Sequence, residues 1–290
     1  MRKKVNGLVV CFLVLLIMGV AFPAIAMADQ RADPTGTNTD YSGSVISSTQ
    51  GGAASLADVA SATGHNTVAI NIMWTLLAGF LVMFMQAGFA MVETGFVRVK
   101  NVAHTMTMNF LVYPLGMLGF FLTGFAIMFG GFGPLATLGG YTGLSHEFSI
   151  NILGHPFGLF GMTGFGLIGS YDVGVFTLFL FQMVFMDTAA TIPTGAMAER
   201  WKFLSFCIFG FMVGAVIYPL YGNWVWGGGW LAQLGVNFGL GHGHVDFAGS
   251  SVVHLTGGVM GLVGAWLIGP RIGKITKMGQ SMPYPVTVFH

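Results

Sequence analysis

Five stretches of this chain are apolar enough and long enough to cross a lipid bilayer, and they constrain its fold more than any other feature. A bilayer core about 30 Å thick needs about 20 apolar residues in a helix. The sequence meets that requirement at 69–92, 106–130, 173–197, 203–224 and 250–268. No segment shows the alternation over about ten residues that a membrane-spanning barrel strand requires. The sequence therefore predicts an all-α membrane protein.

The composition excludes several other classes of protein. Charged residues make up 7% of the chain, against about 25% in soluble globular proteins. The net charge of +1 offers no basic footprint for nucleic acid. The two cysteines, Cys11 and Cys207, lie in separate apolar segments, so neither a disulfide framework nor a cysteine metal site is expected.

The first 28 residues have the layout of a secretory signal peptide. Basic residues at 2–4 precede an apolar run at 8–20, and Ala26-Met27-Ala28 supplies the small-residue pattern of a cleavage site. An uncleaved first membrane helix is the alternative. We interpret 29–67 as an exterior polar lead-in with one short helix at 56–62, and 68–290 as the membrane domain.

Lysine and arginine occur on alternate loops between the apolar stretches. After residue 31 they follow only the first, third and fifth stretches, at Arg98, Lys100, Arg200, Lys202, Arg271, Lys274 and Lys277. Because such residues concentrate on the cytoplasmic side of a membrane, the pattern places the N-terminus outside. This agrees with signal cleavage and predicts a multi-pass protein of the plasma (inner) membrane.

Ionisable residues inside the apolar stretches are informative because each costs about 3 kcal/mol or more at the bilayer centre. We interpret Glu93, at the end of the first stretch, as a snorkelling carboxylate paired with a nearby base, with a role in transport as the alternative. Asp187 lies well inside the third stretch and must face protein, with Thr188, Thr191 or another helix as its partner. The sequence leaves open whether Asp187 is structural or functional.

His254 lies one turn into the fifth stretch, close to two glycines that are four residues apart. Gly257 and Gly261 have this spacing, as do Gly210 and Gly214 in the fourth stretch, and it allows helices to approach closely. We expect a histidine on such a helix to face an interior, where a neutral imidazole can both donate and accept a hydrogen bond. The pattern favours a conduit for a small polar solute, with an ordinary helix contact as the alternative.

Aromatic residues cluster near the outer end of the fourth stretch. Trp224, Trp226 and Trp230 flank three glycines at 227–229. An interfacial aromatic belt is the usual interpretation, but three consecutive glycines also let the backbone turn sharply and bring an indole over a pocket. An indole face attracts cations by about 0.5–2 kcal/mol, and Phe185 could add a second ring. Asp246 begins the fifth helix and is interpreted as its N-cap.

The long loop at 131–172 contains four side chains of types that bind metals: His146, Glu147, His155 and Asp172. No metal-binding spacing such as H-E-x-x-H is present. We therefore interpret the loop as a packed exterior cap over the bundle, and we expect no metal and no cofactor.

Four blocks of the sequence resemble the ammonium transporter (Amt/Rh) family. The blocks are GFAMVETG at 88–95 with Arg98, Lys100 and Asn101; FQ at 181–182 with Phe185, TAAT at 188–191 and GAMAER at 195–200; WVWGGGWL at 224–231; and DFAGS at 246–250 with His254. They extend over nearly all of the chain after residue 65, and the last two are specific to the family.

The resemblance implies transmembrane transport of ammonium or ammonia by a homotrimer whose subunits each contain a hydrophobic pore. By this resemblance Trp226 helps to bind ammonium at an outer vestibule, Phe185 is one of two rings that close the entrance, and Asp246 supports that site. His254 is one of a hydrogen-bonded pair of histidines in the pore. The cation is recruited, deprotonated and passed on as ammonia, and the protein is not an enzyme.

The chain also departs from the family pattern. The usual fold has two inverted halves of five helices and a final helix, and this chain corresponds to the first five-helix half. The partner histidine, the second gating phenylalanine and the tail that binds PII-type regulatory proteins are missing, so we expect a truncated domain. His290 is not at the position of the partner histidine. Asp187 replaces a small residue, and the loop containing His242 and His244 is longer than usual.

Two other functions remain open at this point. An ammonium sensor with a transporter-like membrane domain would share every motif, and sequence beyond residue 290 would distinguish it. A membrane enzyme with haem held by paired histidines would need two histidines facing one another, whereas His254 is the one clearly inside a span and His104 lies at a boundary.

Overall fold

The computed structural model describes residues 56–271, and five long helices form a bundle within that range. They are α1 (Leu56–Gly95), α2 (Val99–Phe129), α3 (Val173–Met197), α4 (Phe203–Val225) and α5 (Ser250–Ile268). All five are long and apolar enough to cross a membrane. The all-α membrane class is confirmed, and the bounds of α3 and α5 are those predicted from the sequence.

Helix α1 is longer than predicted. It has 40 residues and begins at Leu56 instead of residue 69, so the short helix expected at 56–62 is its first part. The signal peptide, the rest of the polar lead-in up to residue 55, and the segment with Lys274, Lys277 and His290 lie outside the described residues.

Helix α3 is the centre of the bundle. In the apolar 18-residue stretch of α3, 67% of the residues are buried, against 6% in the corresponding stretch of α1 and 22% in that of α5. The Asp172 carboxylate caps its first turn by accepting the Gly174 N–H at 2.8 Å. Helices α1, α2 and α5 all pack against α3, so its side chains have protein neighbours on most sides.

Helices α2 and α4 pack closely because each has glycines and a wider, π-helical turn at the contact. These turns are Phe120–Gly124 in α2 and Val213–Ile217 in α4. Gly214 lies directly against the backbone of Gly116, where a Cβ atom would overlap the carbonyl group. Thr123 Oγ1 of α2 donates across this contact to Ala215 O at 2.8 Å, a carbonyl whose α-helical partner four residues later would be Pro219, which has no N–H.

The glycines of α5 contact α3 rather than α4. A Cβ atom at Gly257 would lie 2.7 Å from the Ile192 side chain, and one at Gly261 would lie 3.2 Å from Ala196 Cβ. The sequence correctly predicted close approach at both glycine pairs. The two pairs do not face each other, because Gly210 and Gly214 face α2.

The loop between α2 and α3 contains a β-hairpin that the sequence did not predict. Strands β1 (Glu147–Ile152) and β2 (His155–Gly161) pair antiparallel, with a bulge between Phe148 and Ser149. Leu153 and Gly154 form the two-residue turn, with φ of 52° and 83°. Trp224 Nε1 of α4 donates to Leu159 O at 2.9 Å, so the hairpin is a cap packed on the bundle.

We call this side of the bundle the hairpin end and the opposite side the arginine end. At the arginine end α1, α3 and α5 finish close together around Glu199, whose side chain is fully buried. Its carboxylate accepts hydrogen bonds from Arg98 Nε at 3.1 Å and Asn101 Nδ2 at 2.6 Å, and Arg271 Nε lies 3.7 Å away.

Candidate functional site

Phe185 and Trp226 meet at the hairpin end, as the sequence suggested. Their ring centroids are 5.7 Å apart with an interplanar angle of 84°, which is an edge-to-face contact. Phe181, one turn earlier on α3, packs against Phe185 at 5.0 Å. Both Phe185 and Trp226 are half-buried, so part of each ring remains open to a ligand.

The indole of Trp226 is fixed by the segment that begins α5. Its Nε1–H donates to the backbone carbonyl of Asp246 at 2.6 Å. Gly249, with φ of 91°, lies against the edge of the indole, and a Cβ atom there would be 3.4 Å from it. The three glycines after Trp226 let the chain turn at the end of α4, with Gly228 at a φ of 82°.

Asp246 caps helix α5 with both carboxylate oxygens. Oδ1 accepts from the N–H groups of Gly249 and Ser250 and from Ser250 Oγ, and Oδ2 accepts from the N–H groups of Ser251 and Val252 and from Ser251 Oγ. Burial alone would raise the pKa of this carboxyl, but these hydrogen bonds outweigh it and lower the pKa to about 2. Asp246 caps the helix as predicted, although the residue at the N-cap position itself is Gly249, and the carboxylate holds a negative charge beside the Trp226 indole.

Replacing Asp246 with alanine should lower the free energy of unfolding by about 1–2 kcal/mol at neutral pH, because the first turn of α5 loses its cap. A carboxyl group whose pKa is lowered in the folded protein stabilises the fold at pH values above its ordinary pKa. This stabilisation is lost as the pH falls through about 2. The difference between the wild type and Asp246→Ala should therefore shrink as pH is lowered from about 4 to about 2. Thermal unfolding in detergent across this range measures it. Asp246→Asn, which keeps a hydrogen-bond acceptor but has no charge, is the control. A stability difference between the wild type and Asp246→Ala that stays constant down to pH 2 would contradict the prediction.

His244 extends this site in a way that the sequence did not reveal. Its Nε2 lies 2.9 Å from Ser251 Oγ, which itself donates to Asp246 Oδ2 at 2.8 Å. His242, two residues earlier, is exposed. The long loop before Asp246 thus contributes one of its two histidines to the site, and only the length of that loop could have drawn attention to it.

His254 lies on the first, π-helical turn of α5, where its backbone N–H donates to Gly249 O at 2.9 Å. Its side chain is exposed, so in the described residues it does not face an interior as predicted. The buried side of α5 is formed by Val252, Val253, Gly257 and Gly261. His254 therefore lies on the face of α5 that α3 leaves uncovered.

Glu93 is not a snorkelling carboxylate paired with a base, so that prediction is wrong. It is 8% exposed and is surrounded by neutral donors: Thr194 Oγ1 at 2.6 Å, Asn109 Nδ2 at 2.7 Å and the Gly195 N–H at 3.0 Å. Arg98, the nearest base along the chain, pairs with Glu199 instead. The carboxyl group joins α1 to α2 and α3.

Asp187 faces protein, as predicted, and is 2% exposed. Neither threonine is its partner, because Thr188 Oγ1 donates to Val184 O and Thr191 Oγ1 donates to Asn109 Oδ1, which leaves another helix among the predicted partners. Within residues 56–271, Asp187 Oδ1 has no hydrogen-bond partner. Tyr113 of α2 is close enough to interact with it electrostatically.

The four loop residues considered as metal ligands do not form a site. Asp172 caps α3, His146 Nδ1 lies 3.3 Å from Ser145 Oγ, and the His155 ring packs on Phe238. In the part of the chain that the structure describes, no three His, Cys, Asp or Glu side chains are grouped so that they could hold a metal ion.

The five apolar helices and the aromatic site at one end define a multi-pass membrane protein. Residues 73–289 match the model of the Ammonium Transporter Family, and the chain belongs to that family. It is 44% identical over 219 residues to the ammonium transporter Amt2 of Archaeoglobus fulgidus. The aligned region is 74% of this chain and 42% of that protein. It is 40% identical over 217 residues to Amt1 of Haloferax mediterranei, covering 74% and 38% respectively. The chain thus spans about two fifths of the length of these relatives.

Two solved structures have the same fold. A protein described as a sensor Amt protein superposes with a TM-score of 0.60 at 34% identity, over 74% of this chain and 48% of that one. Mep2 of Saccharomyces cerevisiae superposes with a TM-score of 0.52 at 24% identity, over 69% and 40%. The second likeness concerns the fold alone.

Proposed function

We propose that this protein takes part in moving ammonium across a membrane, with a cation site at Trp226, Phe185 and Asp246. The observation that carries the proposal is the fixed indole of Trp226, which is bound to Asp246 O and meets Phe185 edge to face. Membership in the ammonium transporter family supports ammonium as the substrate.

The parts of the site have different roles in this proposal. The half-buried rings of Phe185 and Trp226 attract the cation through their faces, by about 0.5–2 kcal/mol. The Asp246 carboxylate is already occupied by six hydrogen bonds, so it acts by holding the indole in place and by its negative charge. It does not need to contact the cation.

Selectivity then follows from the chemistry of ammonium. Potassium and ammonium ions have similar size and charge, so an aromatic site alone discriminates poorly between them. Transfer from the site into an apolar conduit penalises a charged species, and ammonium can lose a proton whereas potassium cannot. Neutral ammonia passes along the face of α5 that carries His254, where an imidazole can accept and donate a hydrogen bond. The proton travels separately.

The topology in this proposal has the hairpin end outside and the arginine end in the cytoplasm. The support is that the lysines and arginines at 98–100, 200–202 and 271 belong to the arginine end. A signal peptide at 1–28, a plasma-membrane location, a homotrimer and a PII-type regulatory partner belong to the same proposal through the family resemblance.

Currents in proteoliposomes test the proposal. The protein should give a current with ammonium and none with potassium, and His254→Ala should lower the ammonium current or the selectivity by about tenfold or more. His242→Ala is the matched control, because it removes an exposed histidine outside the site and should change neither. Equal currents with both ions would contradict the mechanism, and an unchanged His254→Ala variant would remove His254 from it.

A sensor is the second candidate, and the likeness to the sensor Amt protein favours it. A sensor predicts ammonium binding at the same aromatic site with no flux through the membrane. Quenching of Trp226 fluorescence by ammonium in a sample that gives no current would support sensing over transport. The nucleotide sequence that follows codon 290 would show directly whether a signalling domain is encoded.

A further inference from the structure

A histidine in the loop before α5 is joined to the Trp226 indole by a chain of hydrogen bonds. His244 Nε2 lies 2.9 Å from Ser251 Oγ, and Ser251 Oγ lies 2.8 Å from Asp246 Oδ2. The backbone carbonyl of Asp246 in turn accepts the Trp226 indole N–H at 2.6 Å. The half-buried imidazole of His244 is thus connected to the indole through Ser251 and Asp246.

The charge of Asp246 fixes the direction of these bonds. Its pKa is lowered to about 2, because its hydrogen bonds outweigh the effect of burial. At neutral pH the carboxylate is therefore ionised and only accepts hydrogen bonds. A serine hydroxyl has one hydrogen, which Ser251 gives to Asp246 Oδ2. His244 Nε2 must then carry a hydrogen and donate it to Ser251 Oγ, in the neutral ring as in the charged one.

The backbone holds His244 in place for this bond. The His244 N–H donates to Leu231 O at 2.9 Å, so the chain returns here to the turn that follows α4. Gly243, with a φ of 74°, lies against the carbonyl of Ala232, where a Cβ atom would overlap it. The residues in between form a side loop with a short helix at Leu234–Phe238. His244 therefore joins the end of this loop to both the turn after α4 and the first turn of α5.

The orientation of the Ser251 hydroxyl depends on His244. Within residues 56–271, Ser251 Oγ has hydrogen bonds to the side chains of His244 and Asp246 alone. A serine hydroxyl rotates to suit its partners, and a donor at its oxygen leaves its hydrogen directed at the carboxylate. Without the imidazole, the hydroxyl could turn away, and Asp246 would lose one of its bonds.

We propose that His244 is a positioning residue, which keeps the Trp226 indole in place by directing the Ser251 hydroxyl to Asp246. In this role His244 acts through Ser251 and Asp246 and needs no contact with a cation. An aromatic face attracts a cation at short range only, so an indole that is held less firmly binds a cation less well. That the cation is ammonium rests on the proposed function, whereas the positioning of the indole does not.

Hydrogen exchange of the Trp226 indole N–H tests the positioning without a ligand. It is followed by NMR on the whole chain in lipid nanodiscs, with the signal assigned from Trp226→Phe. Exchange should be about three- to tenfold faster in His244→Ala, the range that the loss of one net hydrogen bond gives. His244→Gln keeps a side-chain N–H donor and should restore the wild-type rate. His242→Ala, which removes the exposed histidine of the same loop, should leave the rate unchanged.

A double variant tests whether His244 acts through Ser251. Ser251→Ala removes the group between His244 and Asp246, so adding His244→Ala to it should change the exchange rate by less than about twofold. Ammonium binding, measured by calorimetry at constant ionic strength, should weaken about three- to tenfold in His244→Ala. It should recover in His244→Gln.

Several outcomes would overturn the proposal: an unchanged exchange rate in His244→Ala, a rate in His244→Gln as fast as in His244→Ala, or effects that multiply in the double variant. Nitrogen NMR of the wild type at alkaline pH remains decisive if the variants fail to fold, because a hydrogen on Nδ1 of a neutral His244 would exclude the bond to Ser251. A failure of the proposed function would look different. The wild type would then bind no ammonium, while the exchange rates would still follow the expected pattern and support the role of His244.

Discussion

Glu199→Ala should lower the free energy of unfolding by about 3 kcal/mol, the lower end of what the loss of one partner costs in a buried ion pair. The lower end applies because Arg98 and Arg271 are 28% and 20% exposed and regain water when the carboxylate is removed. Glu199 has a positive φ of 68°, a conformation that is unfavourable for alanine and glutamate alike because both have a Cβ atom. The substitution therefore tests the carboxylate and leaves the backbone strain unchanged. Thermal unfolding in detergent, followed by circular dichroism, measures the loss.

Lys100→Ala is the matched control for this variant. Lys100 belongs to the same junction but is exposed, and its removal should change the free energy of unfolding by less than about 0.5 kcal/mol. If Glu199→Ala were as stable as Lys100→Ala, the arginine end would not depend on the ion pairs that join α1, α3 and α5.

The sequence predicted the membrane helices well because length and hydropathy determine them. Two of the five have the predicted bounds, and α4 ends one residue beyond the predicted Trp224, at Val225. The start of α1 was missed because 56–68 is too polar for a membrane span, although the same residues continue the helix. The Asp246 cap was also predictable, since a cap depends on residues next to it in the sequence.

Contacts between helices were less predictable. A helix that is apolar on every side has no polar face to show its orientation, so the glycine pairs indicated close approach without identifying the partner. The partner of Gly214 is α2 and that of Gly257 is α3. The β-hairpin was missed because its strands lie in a segment rich in glycine and phenylalanine, where the expected alternation is weak.

The prediction for Glu93 was wrong for the same reason, because its partners lie on other helices. A base five residues away, Arg98, seemed a suitable partner, but Glu199 at the end of α3 takes that arginine. Three neutral donors from α2 and α3 surround Glu93 instead. Such a set of partners depends on how three helices pack, and spacing within one helix does not reveal it.

Glu93→Leu should lower the free energy of unfolding by about 2–3 kcal/mol, because it removes the acceptor of three donors in a buried network. The Gly195 N–H would lose its partner, and a buried donor without an acceptor costs about 1–3 kcal/mol. Asn109 Nδ2 would keep its bond to Thr105 O, and the Thr194 hydroxyl, which has one hydrogen, would redirect it to Thr191 O, which limits the loss. Unfolding in mixed micelles measures it.

The control and a double-mutant cycle separate this network from a simple loss of packing. Thr94→Val removes a buried hydroxyl one residue away, but its main bond, to Ala90 O at 2.6 Å, lies within α1, so it should cost less than about 1 kcal/mol. Glu93→Leu and Thr194→Val should be coupled by at least about 0.5 kcal/mol, because their groups share a bond between helices. Strictly additive effects would mean that the Glu93 carboxyl does not join α1 to α3, and that apolar contacts alone hold these helices together.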